Sequence, residues 1–173
     1  QLELFESMKK EYSLERFFEK GNPLDLPTIE ESLTLPKETL GYQYANFMTQ
    51  NKIKPESLMV KNYNCDLTYY KHHIRGTHDL WHVVTGFDTS VSGEAGLQAF
   101  YSAQLPSFIH PFILALILFH TSFYAIEERN KYLPTIIQGW NLGKRAKNLF
   151  GTDWKKHWET PLHEVRKNLA LSI

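Results

Sequence analysis

Two histidines and two acidic residues lie close together in the segment THDLWHVVTGFDTSVSGE, from Thr77 to Glu94. If this segment begins in a helix, His78, Asp79 and His82 share one face, because side chains three or four residues apart do so. Imidazole nitrogens and carboxylate oxygens are ligands of divalent cations. The spacing therefore predicts a metal site with two imidazoles and two carboxylates.

A helical hairpin would bring Glu94 next to His82. The pattern predicts one helix over Leu67–Val84, a stop at Gly86, and a second helix that begins after a capping Ser92. Each of the two side chains would then lie about one turn, roughly 5 Å, from its helix end. We therefore expect four ligands from two helices, with Glu94 in the first turn of the second.

A pair of histidines four residues apart also occurs on ordinary, partly buried helices. The carboxylates favour the metal interpretation, since this stretch has no other reason to bury acids. No thiolate is present to select a soft metal, so Zn(II), Fe(II), Mn(II) and Co(II) all fit the donor set. Open coordination positions could hold water or a substrate oxygen, and Glu94 and Asp79 are the candidate catalytic residues.

Composition limits the class of protein. The chain has 173 residues, enough for one domain with several packed helices, and we predict a single domain over residues 1–173. Its 19 basic and 19 acidic residues balance, so nucleic acid is not an expected partner. The single cysteine, Cys65, excludes a disulfide framework within the chain and is expected to be an inert packed thiol.

The N-terminal segment is not expected to be a targeting segment. The N-terminal residues carry five glutamates and lack the apolar core of a secretory signal and the arginine-rich face of a transit peptide. The chain begins with Gln1, however, so residues upstream can be missing and a removed leader stays open.

The helix signals recur along the whole chain, and no segment alternates as a strand does. The sequence predicts an all-α fold of roughly seven to nine helices, with the metal site on a helical hairpin. The Thr28–Glu31 pair is a capping-box signature. Asp66 is predicted to cap the first helix of the hairpin. The other predicted helices are Leu2–Lys20, Thr28–Leu33, Pro36–Asn51, a short one from Pro55, Pro134–Leu149, Thr152–Trp158 and Thr160–Leu171. In the Pro134–Leu149 helix we expect Ile137, Trp140 and Leu142 to be buried.

Residues 95–126 contain no Asp, Glu, Lys or Arg. Within them Phe112–Ile126 is predicted to form a continuous apolar helix of 15 residues, which is shorter than the about 20 that a bilayer crossing needs. We predict that this helix lies inside the domain, buried on all sides. It could then line a pocket for a lipid tail.

Two hydrolase classes are rivals. A zinc peptidase would carry HExxH, whose glutamate is the general base, whereas this chain has Asp79 at that position, and no edge strand is predicted to hold a peptide. Helical phosphohydrolases also use a His-Asp doublet but require further ligands, for which His110, His120 and Asp88 are available. Hydrolysis of a generic phosphodiester would distinguish that class.

The string THDLWHVVTG, followed by GE with eleven residues between His82 and Glu94, resembles the metal motif of the coenzyme Q biosynthesis protein 4 family. The similarity extends to TLGYQYANFM at Thr39–Met48 and WKKHWETPLHEVRKNL at Trp154–Leu169. The resemblance implies an all-helical protein that binds zinc or a similar divalent ion, with iron, manganese or cobalt as alternatives. Its implied ligands are His78, Asp79, His82 and Glu94.

The same resemblance implies a role in ubiquinone synthesis. Members of that family are described both as organisers of the biosynthetic enzymes and as catalysts of oxidative decarboxylation at ring C1. The resemblance therefore implies a metal-dependent oxidative decarboxylase, with a non-catalytic lipid-binding scaffold as the alternative beside the phosphohydrolase. Implied partners are a prenyl quinone precursor, the other quinone-biosynthesis enzymes and a membrane surface, and a homodimer stays open. The expected location is peripheral, on the cytoplasmic face of a bacterial membrane or on the mitochondrial inner membrane.

Overall fold

The computed structural model describes Glu6 and residues 25–54, 66–105 and 107–171. These residues form α-helices and short 3-10 segments and no strand, which confirms the all-α class. Apart from Glu6, the predicted Leu2–Lys20 helix lies outside them, as do the predicted helix at Pro55 and Cys65. The α-helices are α1 Ile29–Ser32, α2 Leu40–Gln50, α3 Asp66–Thr85, α4 Val91–Gln104, α5 Ile109–Tyr124, α6 Arg129–Arg145 and α7 Leu162–Asn168, with 3-10 turns at Ile126–Glu128 and Trp154–His157.

Contacts divide the chain into two compact units. The first comprises Gln1–Asp79 with Phe150–Glu159, and the second comprises Leu80–Leu149 with Thr160–Ile173. The single domain over residues 1–173 therefore stays a prediction.

Trp158 organises the described core of the first unit. Its indole Nε1 donates to Ser32 Oγ at 3.0 Å, and its ring lies edge-on to Tyr44 with centroids 5.4 Å apart. Its carbonyl accepts the Gly41 amide at 2.8 Å. Because a Cβ at Gly41 would overlap this ring, only glycine lets α2 approach so closely.

The capping signals of this unit are partly as predicted. The Thr28 hydroxyl accepts from the Glu31 amide while the Glu31 carboxylate accepts from the Thr28 amide, so the predicted capping box is confirmed. The predicted helix start at Pro36 is wrong. Thr39 caps α2 instead, by accepting from Tyr42 N, because a side-chain acceptor satisfies the amides of the first turn and a proline cannot.

In the second unit, α4 and α6 pack through small residues. A Cβ added at Gly139 would collide with the carbonyl of Gly96, and one at Gly143 would meet Ala103 and the Phe100 backbone. Gly139 and Gly143, four residues apart on one face of α6, let the two helix backbones come into contact. This packing fixes α4, the helix that begins just before Glu94.

Gln104 ends α6. Its Nε2 donates to the carbonyls of Gly143 at 2.8 Å and Lys147 at 3.3 Å, and its Oε1 accepts from Leu149 N at 2.9 Å. The helix therefore stops at Arg145 rather than at the predicted Leu149. The buried side-chain amide of Gln104, on α4, donates to carbonyls at the end of α6 that a longer helix would have paired with its own backbone amides.

The predicted start of this helix at Pro134 is also wrong. α6 begins at Arg129 and contains Pro134. The proline removes one backbone hydrogen bond, but the helical turns on either side of it continue. Leu142 is buried as predicted, but Ile137 and Trp140 are exposed.

The prediction that Phe112–Ile126 is buried on all sides is wrong. The helix runs from Ile109 to Tyr124, and its contacts are mainly with α4 through one face, which includes the buried His110 and Thr121. The large apolar side chains of the other face are exposed; they are Phe108, Ile109, Phe112, Leu116, Phe119, Phe123 and Tyr124. Hydropathy predicted an interior helix because it records how apolar a segment is, not what covers it.

In the described part of the chain no single helix is long and apolar enough to cross a membrane. One pair, Ile109–Tyr124 with Ile126–Arg145, meets the length and composition requirements together, but it is bent by 120°.

The C-terminal helices are shorter than predicted. Thr152–Trp158 contains only the 3-10 turn Trp154–His157, and the predicted helix Thr160–Leu171 contains α7 from Leu162 to Asn168. A 3-10 turn of this length is usual for a connecting segment.

Candidate metal centre

The side chain of His82 is held in place by the buried end of α3. Leu80, Trp81 and Val84 are fully buried, and Trp81 stacks on Tyr101 with centroids 4.3 Å apart. His82 itself is only 2% exposed. An imidazole in such packing has little rotational freedom, so its two ring nitrogens point in fixed directions.

Glu94 is positioned by the start of α4. Ser90 caps this helix by accepting from Gly93 N at 3.1 Å, and Asp88 accepts from the amide of Ser90 at 3.0 Å. The predicted cap, Ser92, is wrong, because its hydroxyl is directed to α6. Glu94 lies in the first turn as predicted, where the helix dipole stabilises a carboxylate.

The two helices bring the predicted imidazole and carboxylate into contact. His82 Nε2 lies 3.0 Å from Glu94 Oε1, and the Glu94 side chain is 33% exposed. His78 joins them, since one ligand atom from each of the three residues lies within 4.8 Å of the others. This is a group that could hold a metal ion.

The ring of His82 lies between two oxygen acceptors. Its Nδ1 is 2.9 Å from the carbonyl oxygen of Phe87, and its Nε2 faces the Glu94 carboxylate. A neutral imidazole has one N–H and can satisfy only one of them. The other contact needs a second proton or a cation. With the proton on Nδ1, a cation at Nε2 would satisfy the imidazole, the carbonyl and the carboxylate together, so these residues fit a divalent metal.

Sequence reasoning did not identify Phe87 as part of the site. Its contribution is a backbone carbonyl, which any residue type carries, so no side-chain pattern marks it. Gly86, with φ of 79°, supplies the turn that directs this carbonyl back to His82.

Asp79 is not a member of the ligand group found among the described residues. The negative charge of Asp79 contributes to the pKa of Tyr44. Burial of the phenol, and secondly the charge of Asp79, raise the pKa of Tyr44 to about 12. Asp79 as a fourth ligand or as a catalytic residue therefore stays a prediction.

The additional residues that a phosphohydrolase would recruit have other positions. His110 is buried, stacks on Tyr101 with centroids 4.4 Å apart, and places Nδ1 2.9 Å from Gln98 Oε1. Asp88 accepts from the amide of Ser90, the residue that caps α4, and His120 is exposed on α5. None of these three belongs to the ligand group in the described ranges.

Comparison with known proteins gives the family. The family model "Coenzyme Q (ubiquinone) biosynthesis protein Coq4" matches residues 4–173. The chain belongs to the Coq4 family. This confirms the family that the sequence motif predicts.

Relatives and a solved structure agree with this assignment. The "Ubiquinone biosynthesis protein COQ4 homolog, mitochondrial" of Aedes aegypti is 32% identical over 143 residues, covering 80% of this chain and 51% of that protein. The Drosophila sechellia homologue is 31% identical over 144 residues, covering 81% of this chain and 52% of its own. The chain therefore spans about half the length of these curated relatives.

A crystal structure from Nostoc punctiforme PCC 73102, of a protein named for ubiquinone biosynthesis, has a TM-score of 0.84 to this chain at 31% identity. The match covers 98% of this chain and 80% of the other. The Coq4 family has its role in ubiquinone biosynthesis, and the helical fold described above is shared with that protein.

Proposed function

We propose that this Coq4-family protein holds a divalent cation between α3 and α4 and presents a prenyl quinone precursor at a membrane surface. The observation that carries the cation proposal is the position of His82 between two acceptors, Phe87 O at 2.9 Å and Glu94 Oε1 at 3.0 Å. Two acceptors around one imidazole need either a second ring proton or a cation at Nε2, and the nearby His78 favours the cation by adding a second nitrogen donor.

The proposed ligands are His78, His82 and Glu94, with Asp79 as the further ligand that the motif predicts. Zinc is the expected metal by family resemblance, and iron, manganese or cobalt are alternatives because the donors are nitrogen and oxygen only. When bound, the cation would supply Lewis acidity or, if redox-active, reactivity towards oxygen. The chain itself fixes the ring of His82, whose Nδ1–H would then donate to the carbonyl of Phe87. It also holds the carboxylate of Glu94, whose side chain is 33% exposed, beside His82 Nε2.

The exposed face of α5 supports a lipid partner. The helix carries no Asp, Glu, Lys or Arg, and Leu116, Phe119 and Phe123 are 51%, 62% and 70% exposed. An exposed apolar face of this kind marks an interaction site. On α6 the exposed Trp140 has Lys144 Nζ 6.0 Å from its ring, a combination suited to the level of lipid headgroups. We propose peripheral docking to a membrane, on the mitochondrial inner membrane in a eukaryote or the cytoplasmic face in a bacterium.

The proposed reaction is the oxidative decarboxylation of a prenylated phenol at ring C1. The bond between the ring and its carboxyl carbon breaks and carbon dioxide leaves. A hydroxyl group supplied by water takes its place, and the two electrons and two protons released pass to dioxygen, the proposed oxidant, which becomes hydrogen peroxide. Glu94 and Asp79 would orient the substrate and move its protons. The alternative is a non-catalytic scaffold that binds the lipid and docks the other biosynthetic enzymes.

Elemental analysis of the purified protein tests the cation proposal. We expect about one divalent metal per chain in the wild type and near-complete loss in His82→Ala, because this residue is central to the group. His163→Ala is the matched control, since His163 is an exposed histidine on α7. Full metal content in His82→Ala, or loss in His163→Ala, would overturn the ligand assignment.

A further inference from the structure

We propose that Arg166, on α7, is a positioning residue for the metal centre, acting through the carboxyl end of α3. The inference rests on the proposed function, and it assigns a role to a residue that contributes no ligand atom. Arg166 Nε donates to the carbonyl of Val84 at 3.0 Å, and Nη2 donates to the carbonyl of Val83 at 3.0 Å. These two carbonyls directly follow His82.

The contact completes the hydrogen bonding of the helix end. The last carbonyls of an α-helix have no amide partner within the helix. At the end of α3, Gly86 N donates to the carbonyl of His82 at 2.9 Å, which leaves the carbonyls of Val83 and Val84 to Arg166. The guanidinium thus replaces the two amides that a longer helix would provide.

The charge of Arg166 is directed at the same place. The side chain is partly buried, and burial lowers the pKa of the Arg166 guanidinium. An arginine guanidinium stays protonated in proteins at neutral pH. Among the described residues it forms no ion pair with a carboxylate. Its positive charge therefore interacts with the partial negative charge at the carboxyl end of α3.

Fixing this helix end fixes the acceptor behind the metal ligand. The chain leaves α3, turns at Gly86, and places the carbonyl of Phe87 on His82 Nδ1. If the carbonyls of Val83 and Val84 lost their partners, the last turn would fray towards water, and the Phe87 carbonyl would move with it. His82 would then lose the contact that sets which nitrogen faces Glu94.

The test compares Arg166→Met and Arg166→Lys with the wild type. Methionine keeps the unbranched apolar stem but donates no hydrogen bond, whereas lysine keeps the charge without the planar fork. Lys167→Met, at the next and exposed position of α7, is the control. Two properties are measured: backbone amide exchange in metal-free protein, and zinc affinity by competition with a chromophoric chelator.

We expect Arg166→Met to speed amide exchange at residues 82–87 while leaving exchange in α6 unchanged, and to weaken zinc binding about 10-fold or more. The loss in Arg166→Lys should be smaller, since one donor remains. In zinc-loaded protein, the ring Nδ1 proton of His82, seen by nitrogen-15 NMR, should exchange with water faster in both variants than in the wild type.

Unchanged zinc affinity and unchanged exchange at 82–87 in Arg166→Met would overturn the inference, and so would a uniform rise in exchange over the whole chain. Neither result touches the proposed function, provided that the wild type binds zinc. A wild type that binds no metal would instead overturn the proposed function. In that case faster exchange limited to 82–87 would assign Arg166 to the helix end alone, without a role in metal binding.

Discussion

Gly139 of α6 lies against Gly96 of α4 so closely that a Cβ at position 139 would overlap the Gly96 carbonyl. This contact holds α4 two residues beyond Glu94. It makes the position of a proposed metal ligand depend on a residue that is 45 positions away in the sequence (139 − 94).

We expect Gly139→Ala to destabilise the protein by about 1–3 kcal/mol, because a methyl group must push two packed backbones apart. Alanine is the better helix former by about 1 kcal/mol, so any loss comes from packing. Chemical denaturation measures it, with Gln138→Ala, an exposed neighbour, as the control. A stabilised Gly139→Ala protein would show that α4 and α6 are not in the close contact described.

The local signals in the sequence gave correct predictions where the structure depends on neighbours along the chain. The Thr28–Glu31 capping box, and the meeting of His82 with Glu94 through a short hairpin, are of this kind. Both require only helix periodicity and a turn, which residues a few positions apart determine.

The errors concern tertiary partners. α5 was predicted to be interior because of its hydropathy, but its exposure depends on what packs over it. The cap of α4 is Ser90 rather than Ser92, since Ser92 is directed to α6. Likewise Arg166, on α7, donates to a carbonyl at the end of α3, and no local sequence pattern predicts such a contact.

The exposed face of α5 should carry membrane binding. We expect Leu116→Glu with Phe123→Glu to weaken binding to zwitterionic lipid vesicles in a flotation assay. Each half-exposed apolar side chain contributes roughly 1 kcal/mol, or about fivefold, when it enters lipid. Thermal stability should change little, because both side chains are exposed in the folded chain.

Leu33→Glu is the matched control for this experiment, since Leu33 is also exposed but lies next to α1. Equal vesicle binding by all three proteins would exclude α5 as the docking face. Aggregation of the wild type that the double substitution cures, without any vesicle binding, would indicate a protein partner instead.

His73 should make the protein sensitive to acid. Burial lowers the pKa of His73 from 6.5 to about 4, so the unfolded chain takes up this proton first. The stability that a neutral His73 contributes is therefore fully present above about pH 6.5 and is lost as the pH falls towards about 4, up to about 3 kcal/mol.

His73→Leu should remove this part of the pH dependence, while His163→Leu, an exposed position, should leave it unchanged. Urea denaturation at a series of pH values between 7 and 4 measures the slope. A wild-type protein whose free energy of unfolding does not fall in this range would contradict the burial of a neutral His73.

A turnover assay distinguishes the proposed decarboxylase from the proposed non-catalytic scaffold. Metal-free protein is loaded anaerobically with Fe(II), Mn(II) or Co(II), mixed with a carboxylated prenyl-phenol in vesicles, and then exposed to oxygen. If the centre is catalytic, carbon dioxide should be released in proportion to the hydroxylated product, since each carboxyl group lost is replaced by one hydroxyl. Glu94→Ala should stop the release, because it removes the carboxylate that lies 3.0 Å from His82 Nε2.

The control variant His163→Ala should release carbon dioxide as the wild type does. Metal and lipid binding without carbon dioxide under any of the three metals would favour the scaffold, whose residues then serve only to bind.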